Sequence, residues 1–195
     1  MSASDSDPDR IVVGITGASG IPIAVRTVEA FADHAEVVTV VSDAAETVMA
    51  HEHDDPDAIE ERIEAASASV YGEDDMHAPV ASGSVPTDGM VVVPASMNTV
   101  ADVATGRADN LLTRAASVTL KERRKLVVVP REMPLGEIHL ENLLKLARMD
   151  VDVVPPMLGF YFEPETPTDL VDHVVGKLLE RFDLEHDRYD AWGSA

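Results

Sequence analysis

The fold is decided by the stretch Arg10-Ile-Val-Val-Gly-Ile-Thr-Gly-Ala-Ser-Gly20. Its first six residues form a short, nearly uninterrupted apolar run, which is typical of a strand that is buried on both faces. Its last five residues are a glycine-containing turn, and apolar residues recur with helical spacing from Ile21 to about Ala32. A buried strand, a glycine turn and a helix in this order are the first unit of a parallel α/β sheet.

The same alternation continues along the chain and predicts a doubly wound, Rossmann-like α/β fold, in which helices cover both faces of a parallel sheet. We expect strands at Arg10–Ile15, Glu36–Val41, Gly89–Val93, Lys125–Pro130 and Val151–Val154. We expect helices at Ile21–Ala32, Asp43–His51, Asp57–Val70, Asn110–Arg123, Glu137–Met149 and Thr168–Phe182. The chain of 195 residues has room for one domain, which we place at residues 10–184 between an acidic disordered tail, 1–9, and a C-terminal tail, 185–195.

Composition excludes several classes of function. The chain has 36 acidic and 15 basic residues, a formal charge of −21, and a field of this sign repels nucleic acid and anionic lipid. It has no cysteine, which excludes disulfides, thiolate metal sites and cysteine nucleophiles. The acidity is typical of a halophile with a salty cytoplasm. The absence of long apolar runs and the acidic N-terminus predict a cytoplasmic location without a membrane partner.

Positive charge is concentrated in one region. Seven of the 15 basic residues fall between Arg107 and Arg131, which favours a bound anion in a chain that is otherwise so acidic. The alternative is that these cations sit at helix ends and on the surface, where they complement nearby carboxylates.

Polar residues follow the predicted strands, where a doubly wound sheet binds its ligands. The glycines between Gly14 and Gly20 do not have the G-x-G-x-x-G spacing of a dinucleotide site, and Ser42 stands where an NAD site has an acidic residue. These two features favour a mononucleotide. Ser96 follows the third predicted strand. The hydroxyls from Ser96 to Thr99 and the amides at the start of the next helix suit an anion or a flavin, and a simple helix cap would have the same pattern. Arg131 and Glu132 place a cation and a carboxylate side by side after the fourth.

Seven segments together resemble the signature segments of flavin prenyltransferases of the UbiX-like kind, in the order of that family. They are Gly17–Gly20, Ala81–Ser84, Leu111–Ala116, Leu120–Arg124, Val129–Pro134, His139–Leu144 and Pro155–Tyr161. The resemblance covers residues 11 to about 184 and therefore implies a flavoprotein domain. It implies transfer of a dimethylallyl group from dimethylallyl phosphate to N5 and C6 of reduced flavin mononucleotide (FMN), without a metal ion.

The resemblance also implies roles for individual residues. The positions that match those holding FMN are Gly17, Ala18, Ser19, Ser42, Ser96, Thr99 and Arg131. The positions that match those around the phosphate of the prenyl donor are Ala81, Ser82, Gly83, Arg114, Lys121, Tyr161 and Lys177. The positions that match catalytic ones are Glu52, Glu132, Ser19 and Lys121. In this scheme Glu132 protonates the leaving phosphate or relays a proton through Ser19, and Glu52 removes a proton at C6.

The family further implies a homo-oligomer, typically a dodecamer with its sites at subunit junctions, and a product that is passed to a UbiD-type decarboxylase. Lys177 is a departure, because better-known members have arginine there, and it leaves the choice between monophosphate and diphosphate donors open. The segment Asp54-Asp-Pro-Asp57 only approximates the D-D-x-x-D pattern of magnesium-dependent prenyltransferases and is read as a solvated helix start.

Two alternatives stay open at this point. An FMN-dependent cysteine decarboxylase of the phosphopantothenoylcysteine type shares the fold, and His77 and Asn98 favour it. A non-catalytic flavin carrier would use the same cradle but would leave Glu52 and Glu132 without a task. Trp192, the single tryptophan, is either a hydrophobic lid over a neighbouring site or an anchor for the C-terminus.

Overall fold

The computed structural model describes residues 10–190 and residue 193. Its strands are β1 (Arg10–Ile15), β2 (Glu36–Val41), β3 (Ser69–Gly72), β4 (Gly89–Ala95), β5 (Lys125–Pro130) and β6 (Asp152–Val153). Its helices are α1 (Ile21–Ala32), α2 (Asp43–Glu52), α3 (Pro56–Ala66), a 3-10 turn (Pro79–Ala81), α4 (Met97–Thr105), α5 (Leu111–Lys121), α6 (Glu137–Arg148) and α7 (Pro167–Glu180).

The six strands form one parallel sheet in the order β3-β2-β1-β4-β5-β6. The strand order reverses between β1 and β4. These two strands pair with each other, and they lead to α1 and α4, which lie on different faces of the sheet. This is the doubly wound order, in which ligands bind at the carboxyl ends of the strands beside the reversal. The predicted fold class is therefore confirmed.

Alternate residues of each strand enter two separate cores. On β1, Val13 points into the core under α1, α2, α3 and α7, whereas Val12 points into the core under α4, α5 and α6. Because each strand is covered on both faces, its apolar run is continuous instead of alternating with polar residues. Helices α5 and α7 consequently lie on opposite faces of the sheet.

Most helices begin at a residue whose side chain caps the first turn. Asn110 caps α5 and Thr166 caps α7, each through a reciprocal capping box. Such caps satisfy backbone N–H groups that the first helical turn leaves without a partner. Among the described residues no helix is long and apolar enough to cross a bilayer.

The prediction of one helix over Asp57–Val70 is wrong. Helix α3 ends at Ala66, and Ser69–Gly72 forms the edge strand β3 beside β2. The chain is drawn into the sheet because the Ala68 amide donates to Val37 O at 2.8 Å and the Ser67 and Thr39 hydroxyls lie 2.7 Å apart. These contacts outweigh the local helical pattern.

The segment after α7 packs against that helix. Arg188 pairs with Asp172 at 3.0 Å, and the Tyr189 ring lies so close to Gly176 that an added Cβ would come within 2.6 Å of it. The boundary predicted at residue 184 stays a prediction. Residues 1–9 and Trp192 lie outside the described residues.

Candidate functional site

The carboxyl ends of β1, β2, β4 and β5 form one edge of the sheet, which we call the nucleotide edge. A buried hydroxyl ties two of these strands together: Thr16 Oγ1 donates to Pro94 O at 2.7 Å and accepts from the Ser96 amide at 2.7 Å. Thr16 is 2% exposed, so water does not compete for these bonds. The turns after β1 and β4 are therefore held as one rigid unit, and sequence reasoning missed Thr16.

The glycine turn after β1 lies directly against the start of α2. A Cβ added to Gly17 would come within 2.3 Å of the Ala44 Cβ and 2.9 Å of the Ala44 carbonyl carbon, which no real contact allows. Gly20, at the end of the turn, has φ 126°, a conformation that L side chains rarely adopt. The turn therefore keeps its backbone close and uncovered, as a cradle for a ligand requires.

Two serines of the nucleotide edge are helix caps. The Ala45 amide donates to Ser42 Oγ at 3.1 Å at the start of α2, and the Thr99 amide donates to Ser96 Oγ at 3.2 Å at the start of α4. Because each Oγ accepts from its helix, its hydrogen can be donated to a neighbouring acceptor. The N-terminal ends of these helices also carry partial positive charge, which suits an anion or the polar atoms of a flavin.

Arg131 and Glu132 lie where β5 ends. The Arg131 amide donates to Ala95 O at 3.1 Å, which fixes the backbone beside β4. Both side chains are exposed, and Glu132 Oε1 accepts from the Met133 amide at 2.9 Å. The structure thus brings a guanidinium and an oriented carboxylate to the nucleotide edge.

A second polar region is the serine loop, residues 81–87, which lies against α5. Arg114 Nε donates to Ala81 O at 3.0 Å, and the Ser82 and Ser84 hydroxyls lie 2.8 Å apart. Gly83 lies against the Lys121 ammonium, to which an added Cβ would approach within 2.5 Å. Three of the residues that resemblance assigns to the donor phosphate, and the two cations assigned with them, are thus brought together.

Arg124 binds this loop through three hydrogen bonds. Sequence reasoning did not assign it a role. Its guanidinium donates to Gly83 O at 3.0 Å, to Val85 O at 2.9 Å and to Thr87 Oγ1 at 3.1 Å. Because one planar group satisfies three acceptors, the loop is held in one conformation. The sequence signals were its place in the basic segment and at the end of the signature segment Leu120–Arg124, and neither assigned it a role.

Lys121 is paired with the neighbouring Glu122 carboxylate. The hydrogen bond from Lys121, and then its positive charge, hold the pKa of Glu122 below its usual range. Both side chains are exposed, so the pair contributes little to stability. An anion at the serine loop would therefore compete with Glu122 for the Lys121 ammonium.

Lys177 forms a third group with the C-terminal part of the chain, and Tyr161 lies beside the same helix, with its hydroxyl 2.9 Å from His173 Nε2. Lys177 Nζ lies 3.0 Å from Glu180 Oε2 and 4.9 Å from the centre of the Tyr189 ring. Burial alone would lower the pKa of Lys177, but contacts with Tyr189 and Glu180 outweigh it and raise the pKa overall. Lys177 is therefore a cation at any physiological pH.

The described residues of one chain do not gather the whole predicted site. Arg114 and Lys121 belong to α5 and Lys177 to α7, on opposite faces of the sheet. Glu52 is the last residue of α2, and at 1.5 Å per residue it lies about 15 Å along the helix from Ser42. The roles assigned to these residues stay predictions.

Two residues that favoured the cysteine decarboxylase reading are both exposed. Asn98 is in the first turn of α4, beside the nucleotide edge, whereas His77 is in the turn between β3 and the 3-10 turn. Neither placement adds support to that reading.

The fold and the nucleotide edge define an α/β protein of the class that binds a mononucleotide. The family model described as Flavoprotein matches residues 1–179. The chain belongs to the Flavoprotein family, and within it to the UbiX-like flavin prenyltransferases.

Relatives and solved structures support this placement. A probable UbiX-like flavin prenyltransferase of Streptomyces sp. (strain D7) is 48% identical over 185 residues, 94% of this chain and 91% of the relative. The flavin prenyltransferase UbiX of Halalkalibacterium halodurans is 44% identical over 93% of this chain and 92% of the relative.

A crystal structure of AnUbiX (PadA1) with FMN and dimethylallyl pyrophosphate has a TM-score of 0.90 and 40% identity, over 96% of this chain and 98% of that chain. A dodecameric FMN-dependent Ubix-like decarboxylase from Escherichia coli O157:H7 also has a TM-score of 0.90, with 44% identity over 95% of this chain and all of that chain. The resemblance stated from the sequence is confirmed. The peptidyl-cysteine decarboxylase EpiD, at 20% identity and a TM-score of 0.62, shares the fold alone.

Proposed function

We propose that this protein is a flavin prenyltransferase, which transfers a dimethylallyl group from dimethylallyl phosphate to N5 and C6 of reduced FMN. The observation that carries the proposal is the presence of two separate polar regions, the nucleotide edge and the serine loop with Arg114 and Lys121 beside it. A flavin carrier needs only the first. The names of the relatives and the ligands of AnUbiX support the same reaction.

The nucleotide edge fits FMN. An added Cβ at Gly17 would close the cradle, and the edge offers hydroxyl donors from Ser42, Ser96 and Thr99 together with the Arg131 guanidinium. The residues that we assign to FMN are Gly17, Ala18, Ser19, Ser42, Ser96, Thr99 and Arg131. Reduced FMN, when bound there, supplies an electron-rich ring that the dimethylallyl group joins.

The residues around the donor stabilise the charge that its phosphate acquires. When the allylic C–O bond breaks, negative charge develops on the departing phosphate, and preformed cations and donors stabilise this charge. We assign this role to Arg114 and Lys121 beside the serine loop and to Tyr161 and Lys177 from α7 and the loop before it. We assign no metal ion to the mechanism, because these four side chains supply positive charge and hydrogen-bond donors to the phosphate.

Three residues are assigned to proton movement. Glu132, whose Oε1 is oriented by the Met133 amide, gives a proton to the departing phosphate or exchanges one through Ser19. Glu52 accepts the proton that is released when the second bond forms. Both carboxylates are exposed in the single chain, as groups at a junction between subunits would be.

We further propose that the site is completed by a neighbouring copy of the chain in a homo-oligomer. The donor residues lie on opposite faces of the sheet, so a second chain can bring them together. Helix α6 and the loop before α7 carry large apolar side chains on the surface, as a subunit interface would. They include Ile138 (71% exposed), Leu144 (51%), Met157 (70%), Leu158 (63%) and Phe160 (69%). The relative of known structure from E. coli O157:H7 is a dodecamer.

The product, prenylated FMN, has the chemistry of a cofactor and not of an end product, and we propose that a UbiD-type decarboxylase in the same cytoplasm receives it. A dissociable product fits a site that is assembled from exposed residues. The formal charge of −21 supports work in a salty cytoplasm, where salt screens the repulsion between carboxylates.

The test is an anaerobic incubation with reduced FMN and dimethylallyl monophosphate in high salt, followed by mass spectrometry of the released flavin. A gain of one C5H8 unit is expected, and the same incubation with dimethylallyl diphosphate identifies the preferred donor. An Arg114→Gln variant should bind FMN normally but transfer slowly, whereas Arg123→Gln, a change at the exposed residue before Arg124, should behave as the wild type. Unmodified flavin with both donors would refute the proposal in favour of a carrier or a decarboxylase.

A further inference from the structure

His173 is a buried side chain to which neither the sequence nor the proposed mechanism assigns a task. It is 9% exposed and lies on α7, one helical turn before Lys177. Its Nε2 lies 2.9 Å from the Tyr161 hydroxyl. His173 therefore stands beside both residues that we assign to the donor phosphate on this face of the sheet.

Packing fixes the orientation of the His173 ring. Phe162 stacks on it with ring centres 4.8 Å apart and planes 21° apart, and Tyr189 meets it edge-on at 4.8 Å. A Cβ added to Gly159 would come within 3.1 Å of its Cε1. These contacts hold the plane of the imidazole with Nε2 directed at Tyr161, which is itself 41% exposed.

The other ring nitrogen decides the tautomer. Nδ1 of His173 is buried and has no hydrogen-bond partner in the part of the chain that the structure describes. Burial, and then repulsion by Lys177, lower the pKa of His173, so the ring is neutral at neutral pH and carries one hydrogen. Buried N–H groups without an acceptor are rarer than buried acceptors without a donor. The hydrogen is therefore best placed on Nε2.

This tautomer determines what Tyr161 can offer to a ligand. When Nε2–H donates to the phenol oxygen, the phenol hydrogen can be donated to an acceptor other than the imidazole. When the hydrogen is on Nδ1, the phenol must donate to Nε2, and its lone pairs face an approaching anion.

We propose that His173 is a positioning residue which holds Tyr161 as a hydrogen-bond donor to the phosphate of the prenyl donor. The proposal rests on the proposed function, because Tyr161 is assigned to that phosphate by resemblance. His173 does not touch the phosphate. Its contribution passes through the phenol, and it should disappear when the phenol is absent.

A double-mutant cycle tests this prediction. His173→Phe keeps an aromatic ring in the stack and removes the N–H, Tyr161→Phe removes the hydroxyl, and the third variant carries both changes. The first readout is the Kd for dimethylallyl monophosphate of the FMN-loaded protein, measured by calorimetry in high salt. The second is the KM and kcat of prenyl transfer.

Each single change is expected to raise the Kd and KM about tenfold with a smaller effect on kcat, since one charge-assisted hydrogen bond is lost. The double variant is expected to be no weaker than Tyr161→Phe alone. His173→Gln, which restores an N–H donor, should recover part of the affinity. Additive effects, or an unchanged Kd in His173→Phe, would overturn the proposal and leave only a packing role.

The two readouts separate this proposal from the proposed function. Coupled losses in Kd without any prenyl transfer by the wild type would support the positioning role and refute the reaction. Normal transfer with additive losses would support the reaction and refute the positioning role. A wild type that neither binds nor transfers would refute both.

Discussion

Replacing Gly17 by alanine should lower the free energy of unfolding and weaken the binding of FMN. The new Cβ would lie 2.3 Å from the Ala44 Cβ, whereas carbon atoms in contact lie roughly 3.5–4.0 Å apart. The turn or the start of α2 must therefore move by more than an ångström. Overpacking of this kind costs about 1–3 kcal/mol. For a chain of this length the midpoint of thermal unfolding should fall by about 2–4 °C for each kcal/mol lost.

The same movement should weaken FMN binding, because the turn and the α2 cap form two sides of the cradle. Loss of one or two hydrogen bonds raises the Kd about tenfold to a hundredfold. The Kd is measured by quenching of flavin fluorescence, and unfolding by calorimetry in high salt. The matched control is Gly72→Ala, where an added Cβ meets nothing nearer than Asp75 Oδ2 at 3.8 Å.

A second change makes the test sharper. Combining Gly17→Ala with Ala44→Gly removes the closest of the three contacts and should recover part of the FMN affinity, although a glycine in the first turn of α2 costs up to about 1 kcal/mol. If Gly17→Ala matched the Gly72→Ala control in both unfolding and FMN binding, the close approach of the turn to α2 would be refuted as the reason for the glycine.

Three further predictions address the rest of the site. Arg124→Met should raise the KM for the prenyl donor at least about tenfold with FMN affinity unchanged, because three acceptors of the serine loop lose their donor. The control Arg123→Met should leave steady-state kinetics as in the wild type. Lys177→Arg should lower the KM several-fold, because a guanidinium can grip the phosphate with two parallel bonds, and equal kinetics with both side chains would argue against a phosphate contact there. The pKa of His173 is lowered in the folded chain, so the unfolded chain binds the proton first as the pH falls. The free energy of unfolding should therefore decrease as the pH falls below about 6.5. Denaturant unfolding between pH 7 and 5 should therefore be less pH-dependent in His173→Phe than in the wild type, and parallel curves would contradict this.

The fold was predictable because its strongest signals are local. The valine runs of β1, β2, β4 and β5 are continuous, as buried parallel strands require, and the glycine turn at Gly17–Gly20 marks the first crossover. Strand β3 was missed because it has only four residues and is defined by its parallel pairing with β2, into which the contacts of Ser67 and Ala68 lead. No pattern within residues 57–70 reports those contacts.

The site was predictable only as far as residues adjoin strand ends or familiar motifs. Ser42 and Ser96 were found because each directly follows a strand. Thr16 was missed although it directly follows β1, because only its bonds to Pro94 and Ser96 show its role. Arg124 and His173 were missed because their partners are 41 and 12 residues away in the chain. Such long-range contacts leave no periodicity or spacing that a single sequence can reveal.

The division of the donor residues between the two faces of the sheet has a genetic consequence. A chain defective in Arg114 and a chain defective in Lys177 fail for different reasons, and each retains the half that the other lacks. If junctions between copies complete the site, some junctions in a mixed assembly contain only intact halves. Two loss-of-function alleles of this protein would then restore activity to one another, and a recessive defect on one face would be masked by a recessive defect on the other.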